Sequence, residues 1–291
     1  MVKKLSDLYL QTRRSFLKTE DQQMASLLTR NLLCRFTGKT QEEILANRDK
    51  YVSEEACLAV EQAVSRVQAG EPLAYVLEEW DFYGMRLHVN RNVLIPRDDT
   101  CAVTALAVKQ ALLLGQDPRI LDLCTGSGCI GLAVASRVKD ARVTLADISQ
   151  EALTVAKRNV TGQKLSARVS CVQADALSDP PAFLGKFDLI IANPPYITEQ
   201  EMKQLPDSVC KYEPHMALYG GGDGLDFYRS IASKYSSALK PNGYLCLEFG
   251  MGQGDAVCRI LEENGYTILE RTRDYNDRER AVMAQLIRKD V

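Results

Sequence analysis

The sequence predicts an α/β chain in two parts: a wholly helical N-terminal unit, and then a doubly wound, mostly parallel sheet with helices on both faces. Three observations carry this. Over residues 1 to about 70, apolar residues recur at helical spacing only. From Thr100 onward, short β-type apolar runs alternate with helical runs, the pattern of a parallel sheet with crossover helices. The first of those runs, "RILDL", leads into "CTGSGCIG", a glycine turn of the kind that joins a strand to a helix.

In the N-terminal unit, "SDLYLQTRRSFL" and "DQQMASLLTRNLLCRF" read as amphipathic helices. "TQEE" at 40–43 is a capping box, with the Thr40 hydroxyl accepting from the Glu43 N–H and Glu43 reaching back. Ser53 caps "EEACLAVEQAVSRVQA", whose Val60, Val64 and Val67 share a face. Gly70 ends that helix and Pro72 prevents its return. A helical bundle over 1–72 is expected, serving to dock a substrate. Residues 1–80 hold 11 Lys+Arg against 12 Asp+Glu, so the bundle is no nucleic-acid clamp. Residues 73–98 are expected to form a β-hairpin linker, because "MRLHV" alternates apolar with polar after the turn "FYG", and "VLIP" follows. Residues 99–291 form the expected catalytic domain. Its strands are "RILDL", "ARVTLAD", "ARVSCVQAD", "FDLIIAN" and "GYLCLEFG", with two late strands near 266–270 and 281–287. Its helices follow the glycine turn and run over "SQEALTVAKRNV", 225–239 and 252–264.

The composition is that of an ordinary globular protein, 46% hydrophobic and 25% charged. A net charge of −2 argues against an affinity built on neutralising phosphates. Nine cysteines without a C-x-x-C pair, several among apolar neighbours (Cys57, Cys129, Cys171, Cys246), imply reduced thiols in a cytoplasmic protein and no zinc or other metal site. His88 and His215 are far apart and read as hydrogen-bonded or surface residues. "MVKKLSDLYLQTRRSF" lacks the apolar core of a signal peptide, and no uncharged run reaches the length of a membrane span. The expectation is a monomer without membrane or nucleic-acid partners.

"GSGCIG" at 126–131 fits G-x-G-x-x-G, and Asp147 lies about 20 residues on, which alone is a weak sign of a nicotinamide or flavin dinucleotide. Asp122, at the end of the first strand, discriminates. A carboxylate there repels a pyrophosphate and attracts an ammonium. S-Adenosyl-L-methionine carries an ammonium and a sulfonium and no phosphate, so it suits the rim better than NAD. Asp147 is placed for ribose hydroxyls and Asp175 for the adenine region. "GGGDG" at 220–224 has no following G-K-[ST] and is not a P-loop.

"NPPY" at 193–196 stops a buried strand. An amide or exocyclic amine is a poor nucleophile because its lone pair is delocalised, and gripping both N–H groups turns that lone pair toward a methyl donor. The Asn193 side-chain oxygen and the Pro194 carbonyl are the expected acceptors. Pro194 and Pro195 fix the backbone in an extended form. Tyr196 offers a flat face for stacking.

With these residues in place, the chain resembles the HemK/PrmC family of protein-(glutamine-N5) methyltransferases, which act on peptide chain release factors. The resemblance runs over nearly the whole chain, through "GEPLAYVLEEWDFYG", "VLIPRDDT", "LDLCTGSG", "FDLIIANPPYI", "YEPHMALYGGGDGLDFYR", "GYLCLEFG" and "RERAV". "NPPY" alone is shared with DNA- and RNA-amine methyltransferases; "VLIPR" and the "YEPHMALYGGGDGL" stretch are more specific. The resemblance implies a class I, Rossmann-like S-adenosylmethionine-dependent methyltransferase sheet behind a helical domain and a hairpin. It implies that Cys124, Thr125, Gly126, Ser127 and Gly128 cradle the methionine part of the cofactor. Asp147 would hold the ribose, Asp175 and Ala176 would border the adenine, and Asn193, Pro194, Pro195 and Tyr196 would bind the target glutamine, that of the release-factor GGQ loop. Arg97, Asp99 and Thr100 match a family loop beside the site, with Arg97 expected to contact substrate. Departures from the family's usual residues are Ala74 for Gln, Asp98 for Pro, Cys101 for an acid, and Cys124 and Asp277 for Gly. A ribosomal-protein glutamine, or an amine of RNA or DNA, remains the alternative target.

Overall fold

Three N-caps open the helices of the first unit. In the computed structural model, which describes residues 2–287, Asp21 accepts from the Gln23 and Met24 N–H groups, the Thr40–Glu43 box is complete in both directions, and Ser53 accepts from Ala56 N. Residue 1 and residues 288–291, the outer ends of the expected domains, lie outside the described residues. The first unit runs to Glu79. A two-residue bridge pairs β1 (Lys3–Lys4) with β2 (Tyr51–Val52), and the helices are α1 (Leu5–Phe16), α2 (Gln22–Thr37), α3 (Gln41–Ala46), α4 (Glu54–Gln68) and α5 (Leu73–Leu77). Leu8, Leu32, Leu33 and Val60 are fully buried at its centre. α5 falls where the hairpin linker was expected to begin. Val76 and Leu77 join this core instead, and Arg35 Nε donates to the Leu77 carbonyl at 2.6 Å. The hairpin itself is β3 (Glu79–Phe82) with β4 (Met85–His88), turned by Tyr83 and Gly84 at φ 51° and 79°.

The second unit contains α6 (Cys101–Leu113), β5 (Arg119–Leu123), α7 (Cys129–Arg137), β6 (Arg142–Asp147), α8 (Gln150–Gly162), β7 (Val169–Gln173) and β8 (Phe187–Ala192). It continues through α9 (Glu199–Met202), α10 (Asp207–Tyr212), α11 (Asp226–Lys234), β9 (Leu239–Glu248), α12 (Gly254–Glu263), β10 (Tyr266–Arg273) and β11 (Glu279–Leu286). The sheet order is β10-β11-β9-β8-β5-β6-β7, with β11 antiparallel to both neighbours, β10 and β9, and the five strands from β9 to β7 mutually parallel. Side chains alternate between two cores. Ile120, Leu189, Ile191 and Cys246 face one, and Leu121, Ile190, Leu245 and Leu247 face the other.

α6 escaped the sequence reading because "CAVTALAVKQALL" is apolar nearly all round and so shows no single stripe. It packs on α7, β9 and β11. α9 and α10 are too short to carry a periodic signal. Among the described residues, no helix is long and apolar enough to cross a membrane.

The register levels the strand ends. Leu123 pairs with Ala146 and Ala192, Ala146 with Val172, and Ala192 with Leu247. The next residues therefore emerge in one row at the carboxyl edge. The strand order reverses between β5 and β8, the place where ligands bind in open α/β sheets.

Candidate active site

A cavity of about 430 Å³ opens over that reversal point. Cys124–Ser127 after β5, Asp147 ending β6, Ala174–Leu177 after β7, and Asn193 and Pro195 after β8 all line it. Its size is that of a small-molecule site.

The glycine turn is tied to β6 through Asp147. Asp147 Oδ2 accepts from Gly126 N at 2.9 Å and Oδ1 from Ser149 N at 3.0 Å. Burial pushes the carboxyl's pKa up, and the backbone donors of Ser149, Gly126 and Ile148 pull it back. A carboxylate so held keeps lone pairs for a ligand's hydroxyls. Asp175 also lines the cavity, with its oxygens accepting from Leu177 N (2.8 Å) and the Ser178 hydroxyl (2.7 Å). That contact shapes the turn around buried Ala176.

Asp122 corrects the sequence reading. It does not line the cavity; it is fully buried behind the turn. Its Oδ2 accepts from the Thr125 hydroxyl (2.5 Å) and Gly131 N (2.9 Å), while Oδ1 has no partner. Asp122 shares a strand face with Ile120, and α7 covers that face. Gly131 lets the helix come this close, since a Cβ there would sit 2.9 Å from Asp122 Oδ2 and against Leu145. Burial pushes Asp122 up to about 7. It braces the turn from behind.

The "NPPY" loop is wrapped rather than free. Ile197 N donates to Leu218 O and Gly220 N to Ile197 O, each at 2.9 Å, and Gln253 Nε2 donates to Tyr196 O at 3.0 Å. "GGGDG" finds its purpose here. A Cβ on Gly220 would lie 2.6 Å from Pro195 O and Tyr196 Cα, one on Gly224 would strike Tyr196 O, and one on Gly250 would lie 2.9 Å from the Tyr196 ring. Asn193 and Pro195 face the main cavity, whereas Pro194 and Tyr196 are not among its lining residues. The Tyr196 ring borders a second cavity of about 310 Å³ with Leu205 and Met251. Burial pushes its hydroxyl up to about 12.

Behind Asn193 stands a polar cluster that sequence reasoning found only in part. Asn193 Nδ2 donates to Thr100 Oγ1 at 3.3 Å. Glu248, which ends β9, is 2% exposed, and its Oε2 has no hydrogen-bond partner. Burial pushes it up to about 8, partly offset by Thr100, Arg280 and Asn193. Arg280, itself buried, pairs with Asp99 and Asp274, each at 2.9 Å. Arg97 lines the cavity, but its guanidinium is engaged by the buried carboxylate of Glu213, which also accepts from Ile95 N at 3.1 Å. Exposed His215 sits at the cavity edge, and His88 Nε2 lies 3.1 Å from Arg158. Among the described residues, no cluster of three His, Cys, Asp or Glu is placed to hold a metal ion.

Two family models match the chain: the PrmC N-terminal domain over residues 9–77 and the Methyltransferase small domain over 102–211. The release factor glutamine methyltransferase of Clostridium acetobutylicum is 38% identical over 253 residues, 87% of this chain and 88% of that one. That of Haemophilus influenzae is 35% identical over 277 residues, covering 91% and 92%. This chain belongs to the release factor glutamine methyltransferase family. It has the class I methyltransferase fold, and the hMettl16 catalytic domain shares that fold at TM-score 0.56 and 15% identity, over 84% of this chain and 86% of that one.

Two departures from the family's usual residues acquire a physical meaning. Cys124 and Asp277, where the family commonly has Gly, adopt φ of 58° and 60°. This chain therefore carries left-handed strain that glycine avoids, of roughly 1–2 kcal/mol per residue.

Proposed function

We propose that this enzyme transfers the methyl group of S-adenosyl-L-methionine to the side-chain nitrogen (N5) of a glutamine in class I peptide chain release factors, the glutamine of the GGQ loop. The names of its relatives support the substrate class. The site supports the cofactor. Asp147 and Asp175 put two carboxyls on the cavity wall with Asp122 behind, and Arg97, the one arginine on the wall among the described residues, is occupied by Glu213. A ligand with positive charge and no phosphate fits that field. Cys124, Thr125, Gly126, Ser127 and Gly128 would hold the methionine portion, Asp147 the ribose, and Asp175 with Ala176 the adenine. Bound there, S-adenosyl-L-methionine supplies an electrophilic methyl group on a sulfonium.

The chain's own task is to make an amide nitrogen nucleophilic. One observation carries this part: Asn193 sits on the cavity wall with its nitrogen turned back to Thr100, which leaves Oδ1 to accept an N–H of the target glutamine. The Pro194 carbonyl, which does not line the cavity, would accept the second N–H only after a shift of the loop backbone. The nitrogen lone pair would then face the donor; as the N–C bond forms, the S–CH₃ bond would break to leave a neutral thioether, and one N–H proton would pass to solvent. Orientation of this kind supplies on the order of 7–11 kcal/mol of barrier reduction. Pro195 and Tyr196 stiffen the loop, Arg97 and Glu213 join the two segments that flank the glutamine's approach, and the N-terminal helical unit docks the release factor. Incubation with labelled S-adenosyl-L-methionine and purified release factor, followed by peptide mapping, should place one methyl on the GGQ glutamine. Label on another residue, or on RNA alone, would overturn the assignment.

A further inference from the structure

Asn159 puts an amide where apolar packing would be the default. It lies on α8 at 3% exposure, between Ala156 and Val160 of the apolar core. A buried amide loses its hydration and must find partners inside the protein. Asn159 finds all of them on backbone. Its Oδ1 accepts from His88 N at 2.6 Å, and Nδ2 donates to His88 O and to Ser127 O, each at 2.9 Å. A half-turn of the amide would set Nδ2 against the His88 N–H and Oδ1 against two carbonyls, so the three partners admit one orientation. The two bonds to His88 are the pair that a neighbouring strand residue would exchange with β4. The third bond goes elsewhere, to the glycine turn.

These partners lead to two different parts of the cavity wall. Ser127 belongs to the turn that lines the cofactor side. His88 ends β4 and does not line the cavity, but Val93, Leu94, Pro96 and Arg97, which follow it in the chain, do. The Ser127–Gly128 peptide is held at both ends, its carbonyl by Asn159 and its N–H by Thr125 O at 2.9 Å. Gly128, at φ 84° and without a Cβ, is a place where that peptide turns over readily unless it is tied. A second tie between α8 and the hairpin, from Gln163 Nε2 to Arg86 O at 2.8 Å, has no branch to the turn. We propose that Asn159 is a positioning residue that fixes the cofactor turn and the wall formed by residues 92–97 to each other, so that one amide supports both binding events. The inference rests on the reading of the glycine turn as the cofactor cradle given above.

The test uses the full-length enzyme, with calorimetry of S-adenosyl-L-methionine and steady-state methylation of release factor, well below the Tm of every variant so that the folded fraction is not the variable. Asn159→Leu removes all three bonds. Asn159→Asp keeps the acceptor for His88 N and sets a carboxyl oxygen against both carbonyls. Both variants should bind the cofactor about tenfold more weakly, the loss expected when buried hydrogen bonds to the turn are removed. Both should also raise the KM for release factor severalfold while kcat stays within about threefold of wild type, because Asn193 is untouched. Gln163→Ala, which loosens the same hairpin from the same helix, should bind the cofactor as wild type does. A merely structural role predicts a lower Tm with cofactor affinity and KM unchanged, and that result would overturn the proposal. So would an equal loss of cofactor affinity in Gln163→Ala. If neither Asn159 variant folds, the wild-type enzyme carries the test. Adding S-adenosyl-L-methionine should slow hydrogen exchange at His88 N about tenfold more than at Tyr83 and Gly84 in the hairpin turn, and equal slowing at all three would sink the inference. A wild-type enzyme that binds no S-adenosyl-L-methionine is a separate outcome, which removes the cofactor reading and this inference with it.

Discussion

Gly220→Ala should slow methyl transfer about 100-fold without touching the cofactor. The added Cβ would stand 2.6 Å from Pro195 O and from Tyr196 Cα, where ordinary contact begins near 3.4 Å. Both neighbours are backbone and neither can swing aside, so the "NPPY" loop must retreat by roughly the difference, about 0.8 Å. A misplacement near 1 Å in the groups that hold a reacting substrate is enough for about a 10²-fold loss. Overpacking should also lower stability by about 1–3 kcal/mol. The control is two residues away. Gly222 is exposed, has no positive φ, and an added Cβ meets nothing within 4 Å, so Gly222→Ala should match wild type. Single-turnover methylation of release factor at saturating S-adenosyl-L-methionine reads the effect, with calorimetry to confirm unchanged cofactor affinity. A Gly220→Ala rate within threefold of wild type would mean that the loop's position does not govern the chemistry.

Asp147→Ala should weaken S-adenosyl-L-methionine binding by at least tenfold, since charge-assisted hydrogen bonds are worth about 1.5–3 kcal/mol each; equal affinity in calorimetry would place the ribose elsewhere. Burial raises Asp122 from an ordinary 3.8 to about 7 and Glu248 from 4.5 to about 8, so the folded, ligand-free protein binds more protons than the unfolded chain between those values. Stability from these two groups is therefore fullest below about pH 4 and falls as pH rises toward 8, by up to about 1.4 kcal/mol per pH unit for each carboxyl. Denaturant titrations across pH 5–8 should show that slope, and Asp122→Asn or Glu248→Gln should flatten it; an unchanged slope refutes the burial argument. Glu213→Ala releases Arg97 and Ile95 N together, so hydrogen exchange at Ile95 should speed up and the KM for release factor should rise severalfold, while protection in the β5 strand stays as in wild type.

Much of this was legible in the sequence because local rules and tertiary structure agree there. The capping box at 40–43, the glycine turn after β5 and the break after β8 are each written in a few adjacent residues. Asp122 was misjudged because strand-end position was weighed and side-chain alternation was not. "RILDL" puts residues 120 and 122 on one face, and that face lies under a helix. Glu248 was passed over because its burial depends on a pairing between β8 and β9, strands separated by more than 45 residues of chain. The glycines at 220, 224 and 250 were visible as glycines, but their purpose depends on contact with residues 195–196, which no local window contains.

The account stands on Asn193. The most direct measurement is the single-turnover rate of methyl transfer to release factor by Asn193→Ala, with cofactor affinity measured on the same protein. Removal of a preorganised partner of this kind typically costs about 10²–10³ in rate. The predicted result is a loss of that size or larger, with S-adenosyl-L-methionine bound as tightly as by wild type. An Asn193→Ala enzyme that keeps most of its rate on the GGQ glutamine would contradict the account.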